Sequence, residues 1–537
     1  MRATINRRSR LAAVLIAGAL GVTACGESSE RGDTAGGGLS KAEIYATGYV
    51  GDEDAGDPVK GGTLTVAEYA EIRSLNPTES YANGAVGGSA MAAVYDTLTR
   101  YDFESGTWEP QLAESLTSDD KVTWTLALRE GVTFSDGTPL DADAVIGSIE
   151  LYTSRYAYQS LQLLGQQTKM RKVDDLTVEF THRSPWATFP AMLAGGPGMI
   201  MAPAAYANPE KFEPIGAGPF ELEKYAPAEE LVLAARDDYW NGAPYLDKLR
   251  FVWLGADDAK MQSMDAGEAD AAFIRSAPVV EKARKDGYSG MMLVVGMGSQ
   301  IAINMREGRP GEDERVRKAI QLAFDNEAYL ERASQGAGLP SKSIFAETSP
   351  WSTGVEVPAV DREAAADLVE EARADGFDGK LDYLVGADPL SQNAAVQVEA
   401  QLEAVGFDIT IVSSDNIADS TKRLYVDHDF DIALSASSIG DEDPYGSLGE
   451  VLFSTSPTNL SGYANPEMDQ LLGELGPVGD DPSAGVETMR KIEELFQEEV
   501  PSVLVSPVGN FLVTQDEVHG IKVSTQALSL YDKAWKG

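Results

Sequence analysis

Trp124-Thr125-Leu126-Ala127-Leu128-Arg129-Glu130-Gly131-Val132-Thr133-Phe134-Ser135-Asp136-Gly137-Thr138-Pro139-Leu140 is the stretch on which the reading of this chain turns. Trp124, Leu126 and Leu128 alternate, which puts three large apolar side chains on one face of a strand. Ser135-Asp136-Gly137-Thr138-Pro139 then reads as a tight turn, because Asp-Gly pairs tolerate the left-handed backbone that such turns need. Asp141 follows just ahead of Ala142-Asp143-Ala144-Val145, where its carboxylate suits the cap of a helix.

The same grammar extends both ways. Gly61-Gly62 opens an alternating run, Thr63-Leu64-Thr65-Val66, and Leu249, Phe251 and Trp253 repeat the strand pattern. Val316, Ala319, Ile320 and Ala323 fall at helical spacing and predict one buried stripe. Ala364, Ala365, Leu368, Val369 and Ala372 predict another, with Asp361 as its cap, and Met489 to Phe496 hold a third. Strands and helices intermix without a repeat period, which predicts the α/β class. Gly216-Ala217-Gly218-Pro219 and Asp441-Glu442-Asp443-Pro444 add turn signals, but no stretch is long enough for an interdomain linker. The chain is therefore expected to cross between lobes several times, with short strands as hinges.

The chain has 537 residues, 43% of them hydrophobic and 24% charged, which excludes disorder and predicts two or three lobes. With 43 Lys+Arg against 85 Asp+Glu the net charge is −42, so nucleic acid and anionic membrane surfaces are excluded as partners. One cysteine rules out a disulfide framework. His182, His428 and His519 are scattered, which leaves no metal cage and no cofactor expected.

Arg2, Arg7, Arg8 and Arg10 precede the apolar run Leu11 to Gly21, and no acid occurs before Glu27. The run is shorter than the ~20 apolar residues of a membrane span and reads as an export signal. Val22-Thr23-Ala24-Cys25-Gly26 resembles a bacterial lipobox, so residues 1–24 are expected to be cut away and Cys25 to carry lipid, by either Sec or Tat export. Loss of those residues removes four arginines and no acid, leaving the exported body still more acidic. Gly26 to Ser40 lacks apolar content, and residues 25–57 are expected as lipidated cysteine and flexible linker.

Chemistry is mostly absent. There is no His-Glu-x-x-His, no P-loop and no Gly-x-Ser-x-Gly, and Gly216-Ala217-Gly218 lacks the third glycine of a dinucleotide fingerprint. His182 and His428 stand among polar or acidic neighbours and read as surface residues. An exported hydrolase with paired carboxylates remains an alternative of another class, because 85 acids cannot exclude such a pair.

The opening stretch closely resembles the signature of the family 5 extracellular solute-binding proteins of bacterial ABC importers, which serve peptides, nickel and related solutes. Pro110-Gln111-Leu112-Ala113-Glu114-Ser115 lies just before it, and Leu75-Asn76-Pro77 and Val94-Tyr95-Asp96-Thr97-Leu98-Thr99 further upstream. Gly216-Ala217-Gly218-Pro219-Phe220, Asp313 to Ile320, Gly462-Tyr463-Ala464-Asn465-Pro466 and Glu498-Glu499-Val500-Pro501 follow in the family's order. The resemblance implies the periplasmic-binding-protein-like type II fold, two hinged lobes with an extra subdomain inserted in the first. The boundaries it implies are 58–85, 200–302 and 508–537 for lobe I, 86–199 for the subdomain and 303–507 for lobe II. It further implies a monomeric, non-catalytic, lipid-anchored receptor at the outer face of a bacterial cell membrane. Such a receptor captures a small peptide or peptide-like solute between its lobes and delivers it to a cognate permease.

Peptide-binding members hold the solute by strand-like pairing and meet its ammonium group with an aspartate before an acidic-residue-Pro turn. The corresponding region here is Ser437-Ser438-Ile439-Gly440-Asp441-Glu442-Asp443-Pro444, which makes Asp441 the ammonium partner. Tyr81, Ala82 and Asn83 are the counterpart in lobe I. The spacing from Asp441 to Pro444 is one residue short, and serine replaces the usual tryptophan ahead of the aspartate. Tyr81, Trp351 and Tyr445 offer aromatic faces for sugar rings, so an oligosaccharide or other non-peptide solute is the alternative within the binding class.

Overall fold

The computed structural model describes residues 39–51, 56–208 and 211–537. Five strands carry the argument: β1 (Thr63–Glu68), β2 (Thr123–Leu128), β3 (Ser289–Ile303), β4 (Ile432–Ile439) and β5 (Ser502–Thr514). All but β2 belong to one eleven-stranded mixed sheet. Its order runs from Asp408–Ser413 through Lys380–Val385, β4, β3, β5, Ala271–Ile274, β1, Lys248–Trp253 and Glu230–Ala235 to Phe220–Ala226, with Gly48–Val50 added beside β3.

β3 and β5 are the longest strands and tie the two halves of this sheet together. Ser289–Val295 pairs with Val508–Thr514, and Ser299–Ala302 pairs with Ser502–Ser506, the register shifting between Val295 and Ser299. Met297 and Gly298 sit in that break with φ of 54° and 56°. A β-bulge bends its strand and increases local twist, so the two halves meet at an angle set by a few residues.

Local signals account for most elements. Trp124, Leu126 and Leu128 of β2 are buried on one face, in a separate four-stranded antiparallel sheet. Asp141 caps the helix α1 (Ala142–Ser154) by accepting from Ala144 N at 2.9 Å, and Asp361 caps Arg362–Ala374 through Ala364 N. Val316, Ala319, Ile320 and Ala323 are fully buried together. β1 departs from its alternating expectation, being buried from Leu64 to Glu68. It lies in the middle of the sheet between Lys248–Trp253 and Ala271–Ile274, with Leu64 and Val66 in one core and Ala67 in the core on the other side. A central strand covered on both faces shows no exposed side to alternate with.

Residues 39–537 form one compact unit with several apolar cores. The largest unites Leu98 to Ala202 with residues between Met297 and Leu504. Two sequence readings are corrected. Residues 40–50 are not linker: Ser40 caps a short helix, Ile44 and Tyr45 are buried, and Gly48–Val50 pairs with β3, so this stretch belongs to the folded body. His182 is not on the surface; it is 4% exposed, packed edge-on against Phe189 and Trp186, and desolvation pulls its pKa down to about 4. His428 is half-buried, with Nδ1 2.9 Å from the Leu424 carbonyl. The signal peptide, Cys25 and Gly26 to Gly38 lie outside the described residues. No helix among the described residues is long and apolar enough to cross a membrane.

Candidate ligand-binding site

The site grows from an unfinished edge. β4 pairs with β3 along its whole length, Ile432 to Ile439, but on its other side Lys380–Val385 reaches only Ile432 and Ala433. From Leu434 onward no strand among the described residues covers that side. An open edge of backbone N–H and C=O groups is a template for another extended chain. Ala436 and Ser438 are exposed, Ser437 accepts from Gln300 Nε2 at 2.7 Å, and Ile439 is buried in the core.

Three carboxylates follow where β4 turns into the helix α2 (Pro444–Leu452). Asp443 caps α2: its Oδ1 accepts from Gly446 N at 3.0 Å and from Thr188 Oγ1 at 2.5 Å. Glu442 is 4% exposed; its Oε1 accepts from Thr525 Oγ1 at 2.8 Å, while Oε2 has no hydrogen-bond partner. Asp441 accepts from Ser349 Oγ at 2.7 Å and lines a cavity of about 10 Å³ with Thr47, Gly296 and Phe345. Burial is the main cause that pushes Asp441 and Asp443 up to about 7, and it raises Glu442 as well. Among the described residues no lysine, arginine or histidine comes within ion-pair distance of any of the three.

Glu450, one turn from the end of α2, accepts from Gln162 Nε2 at 2.6 Å, and burial raises its pKa too. Beside it, Tyr81 packs on Tyr158 with ring centroids 4.9 Å apart, and Tyr158 donates to Gln526 Oε1 at 3.1 Å. Asn83 has a buried Oδ1 without a partner. Ala82 is fully buried under Gly196. Tyr81 is 59% exposed, so one face of its ring is open. The segment 81–83, the α1-proximal Tyr158 and the carboxylates of α2 thus converge on one region, linked by the turn at 525–527.

Trp351 and Tyr445 are placed as packing. Trp351 is fully buried and its Nε1 donates to the Asp441 carbonyl at 2.8 Å, so it fixes the backbone of the carboxylate turn. Tyr445 packs between Trp186 and Phe453 and its hydroxyl accepts from Gln166 Nε2 at 2.6 Å. Glu450, Gln162, Thr188 and Thr525 join the region without any sequence signal, and although Glu442 lies in the turn the sequence marked, its contact with Thr525 carries none; these partners lie far along the chain, and no motif or periodicity reports such a contact.

A family model matches residues 107–459, most of the chain, and is that of the bacterial extracellular solute-binding proteins, family 5. The chain belongs to this family. Over 502 residues it is 25% identical to the dipeptide-binding protein of Escherichia coli, covering 87% of this chain and 93% of that one. It is 24% identical to protein XP55 of Streptomyces lividans, covering 95% and 92%. Among solved structures, a binding protein from Helicobacter pylori in complex with the peptide STSA superposes with a TM-score of 0.75 at 22% identity, covering 89% and 98%. NikA of Brucella suis in complex with Fe(III)-EDTA gives 0.73 at 23%, covering 89% and 100%. These likenesses establish the periplasmic-binding-protein fold of type II. A family 5 protein is an extracytoplasmic solute-binding protein, so the chain binds rather than catalyses, and the hydrolase alternative falls.

Proposed function

We propose that this protein captures a small peptide or peptide-like solute between two lobes and delivers it to an ABC permease, held at the outer membrane face by lipid on Cys25. The observation that carries the reading is the open edge of β4 over Leu434–Ile439, which runs directly into the buried carboxylates of Asp441 and Glu442. An extended solute pairs its main chain with that edge and with the segment 81–83, and its amino group finds Asp441 at the end. The kink of β3 and β5 near Gly298 and Pro507 supports lobes hinged close to the boundaries at 302 and 507. Names among the relatives support peptides as the solute: a dipeptide-binding protein and a di/tripeptide-binding protein stand among them.

Isothermal titration of the body from residue 39 with Ala-Ala-Ala and its N-acetylated form tests the reading. The free peptide binds saturably and acetylation weakens it by about 30-fold or more, as expected for losing about 2 kcal/mol of a desolvated charge pair. Asp441→Asn removes the difference between the two peptides. Equal binding of both by the wild type rejects Asp441 as the ammonium partner.

A further inference from the structure

Asp443 and Asp441 each have a structural use in this fold: the first caps a helix and the second holds Ser349. Glu442 has none that satisfies it. Its side chain is more than nine-tenths buried, takes hydrogen bonds from Thr525 and from its own backbone N–H, and leaves Oε2 without a partner. A buried carboxylate short of donors avoids the cost of its charge by holding a proton, and an arriving cation or donor completes it instead. The surroundings make matters worse. Asp480 repels Glu442, Glu442 in turn repels Asp441 and Asp443, and the Tyr101 hydroxyl feels Glu442, Asp480 and Asp441 together. Trp108 lies against Asp480. The turn bearing Thr525 is also unusual: Gln526 and Ala527 are consecutive non-glycine residues with φ of 59° and 57°.

We infer that Glu442 receives a cationic group of the solute, an ammonium or guanidinium separate from the amino end assigned to Asp441, so that the preferred solutes are at least dicationic. The two carboxylates are neighbours in sequence but engage different segments, Asp441 at Ser349 and beside Thr47, Glu442 at Thr525. They therefore suit two cations held a short chain apart, as in a peptide with a basic side chain. The aromatic rings of Tyr101 and Trp108 nearby favour such a group further. The inference rests on the solute-receptor reading but is independent of whether the solute is a peptide.

Three probes separate the possibilities: Lys-Ala-Ala, the norleucine peptide of the same shape without the side-chain charge, and 1,5-diaminopentane, each titrated calorimetrically into wild type and Glu442→Gln. The lysyl peptide is expected to bind wild type about tenfold or more tighter than the norleucyl peptide. Glu442→Gln is expected to abolish that preference, so that the lysyl and norleucyl peptides bind the variant alike. Its melting temperature without ligand stays the same or rises, because the glutamine keeps the shape of the side chain with no carboxylate left to desolvate, so lost preference is not lost folding. Both peptides binding equally to wild type, or a preference that survives in the variant, overturns the inference while peptide capture stands. Binding of the diamine alone, lost in the variant, upholds the inference and rejects the peptide. Binding of none of the three overturns both.

Discussion

Asp443→Asn isolates the energetics of the carboxylate turn. Both hydrogen bonds of Asp443, from Gly446 N and Thr188 Oγ1, end on the same oxygen, Oδ1, and asparagine caps helices as well as aspartate. The amide keeps both bonds and drops only the charge. The folded carboxyl titrates at about 7 against an ordinary 3.8, first because of burial and then because Glu442 and Glu450 repel it. Between those pH values the folded protein holds a proton that the unfolded chain has released. The stability tied to this group is therefore complete below 3.8 and declines as pH rises through 7, the reverse of a salt-bridged aspartate. At about 1.4 kcal/mol per pH unit the shift corresponds to at most about 4 kcal/mol, and relaxation around the charge brings the expected effect to about 1–2 kcal/mol. Urea unfolding of wild type and variant at pH 4 and pH 8 measures it. The variant should match wild type at pH 4 and exceed it by that amount at pH 8. A variant less stable than wild type at pH 8 refutes the reasoning, because the charge would then be doing something the hydrogen bonds do not.

Two further perturbations probe the frame around the site. Trp351→Ala should cost about 3–5 kcal/mol in urea unfolding and free the Asp441 backbone, since the ring is fully buried and its Nε1 holds that carbonyl. A loss under 1 kcal/mol would mean the ring fills no tight core. Gly298→Ala should cost about 2 kcal/mol or more, because a Cβ there would stand 2.2 Å from the Ser506 carbonyl oxygen at a φ of 56°. Unchanged stability in thermal unfolding would show that the break between the sheet halves adjusts freely.

Much of the frame is legible in the chain. Alternation placed Trp124, Leu126 and Leu128 on one face, helical spacing placed Val316 to Ala323 in a core, and Asp141 and Asp361 cap the helices they precede. These are local matters, settled within a turn or a strand. β1 defeated the same logic because its burial depends on two neighbouring strands and both layers above and below it. His182 did so because Trp186 and Phe189, four and seven residues further on, close over it through an irregular turn that neither strand nor helix spacing reveals.

By itself the sequence determined the class of elements, their caps and the acidic turn at 441–443, since each depends on residues a few positions apart. Only the tertiary structure decided that β4 has a free edge among the described residues, that Asp441 and Glu442 engage different segments, and that Glu442 meets Thr525 with Oε2 left without a partner. Those outcomes depend on which distant segments arrive to shield a charge from water, and the desolvation of a carboxylate is a property of its surroundings rather than of its place in the chain.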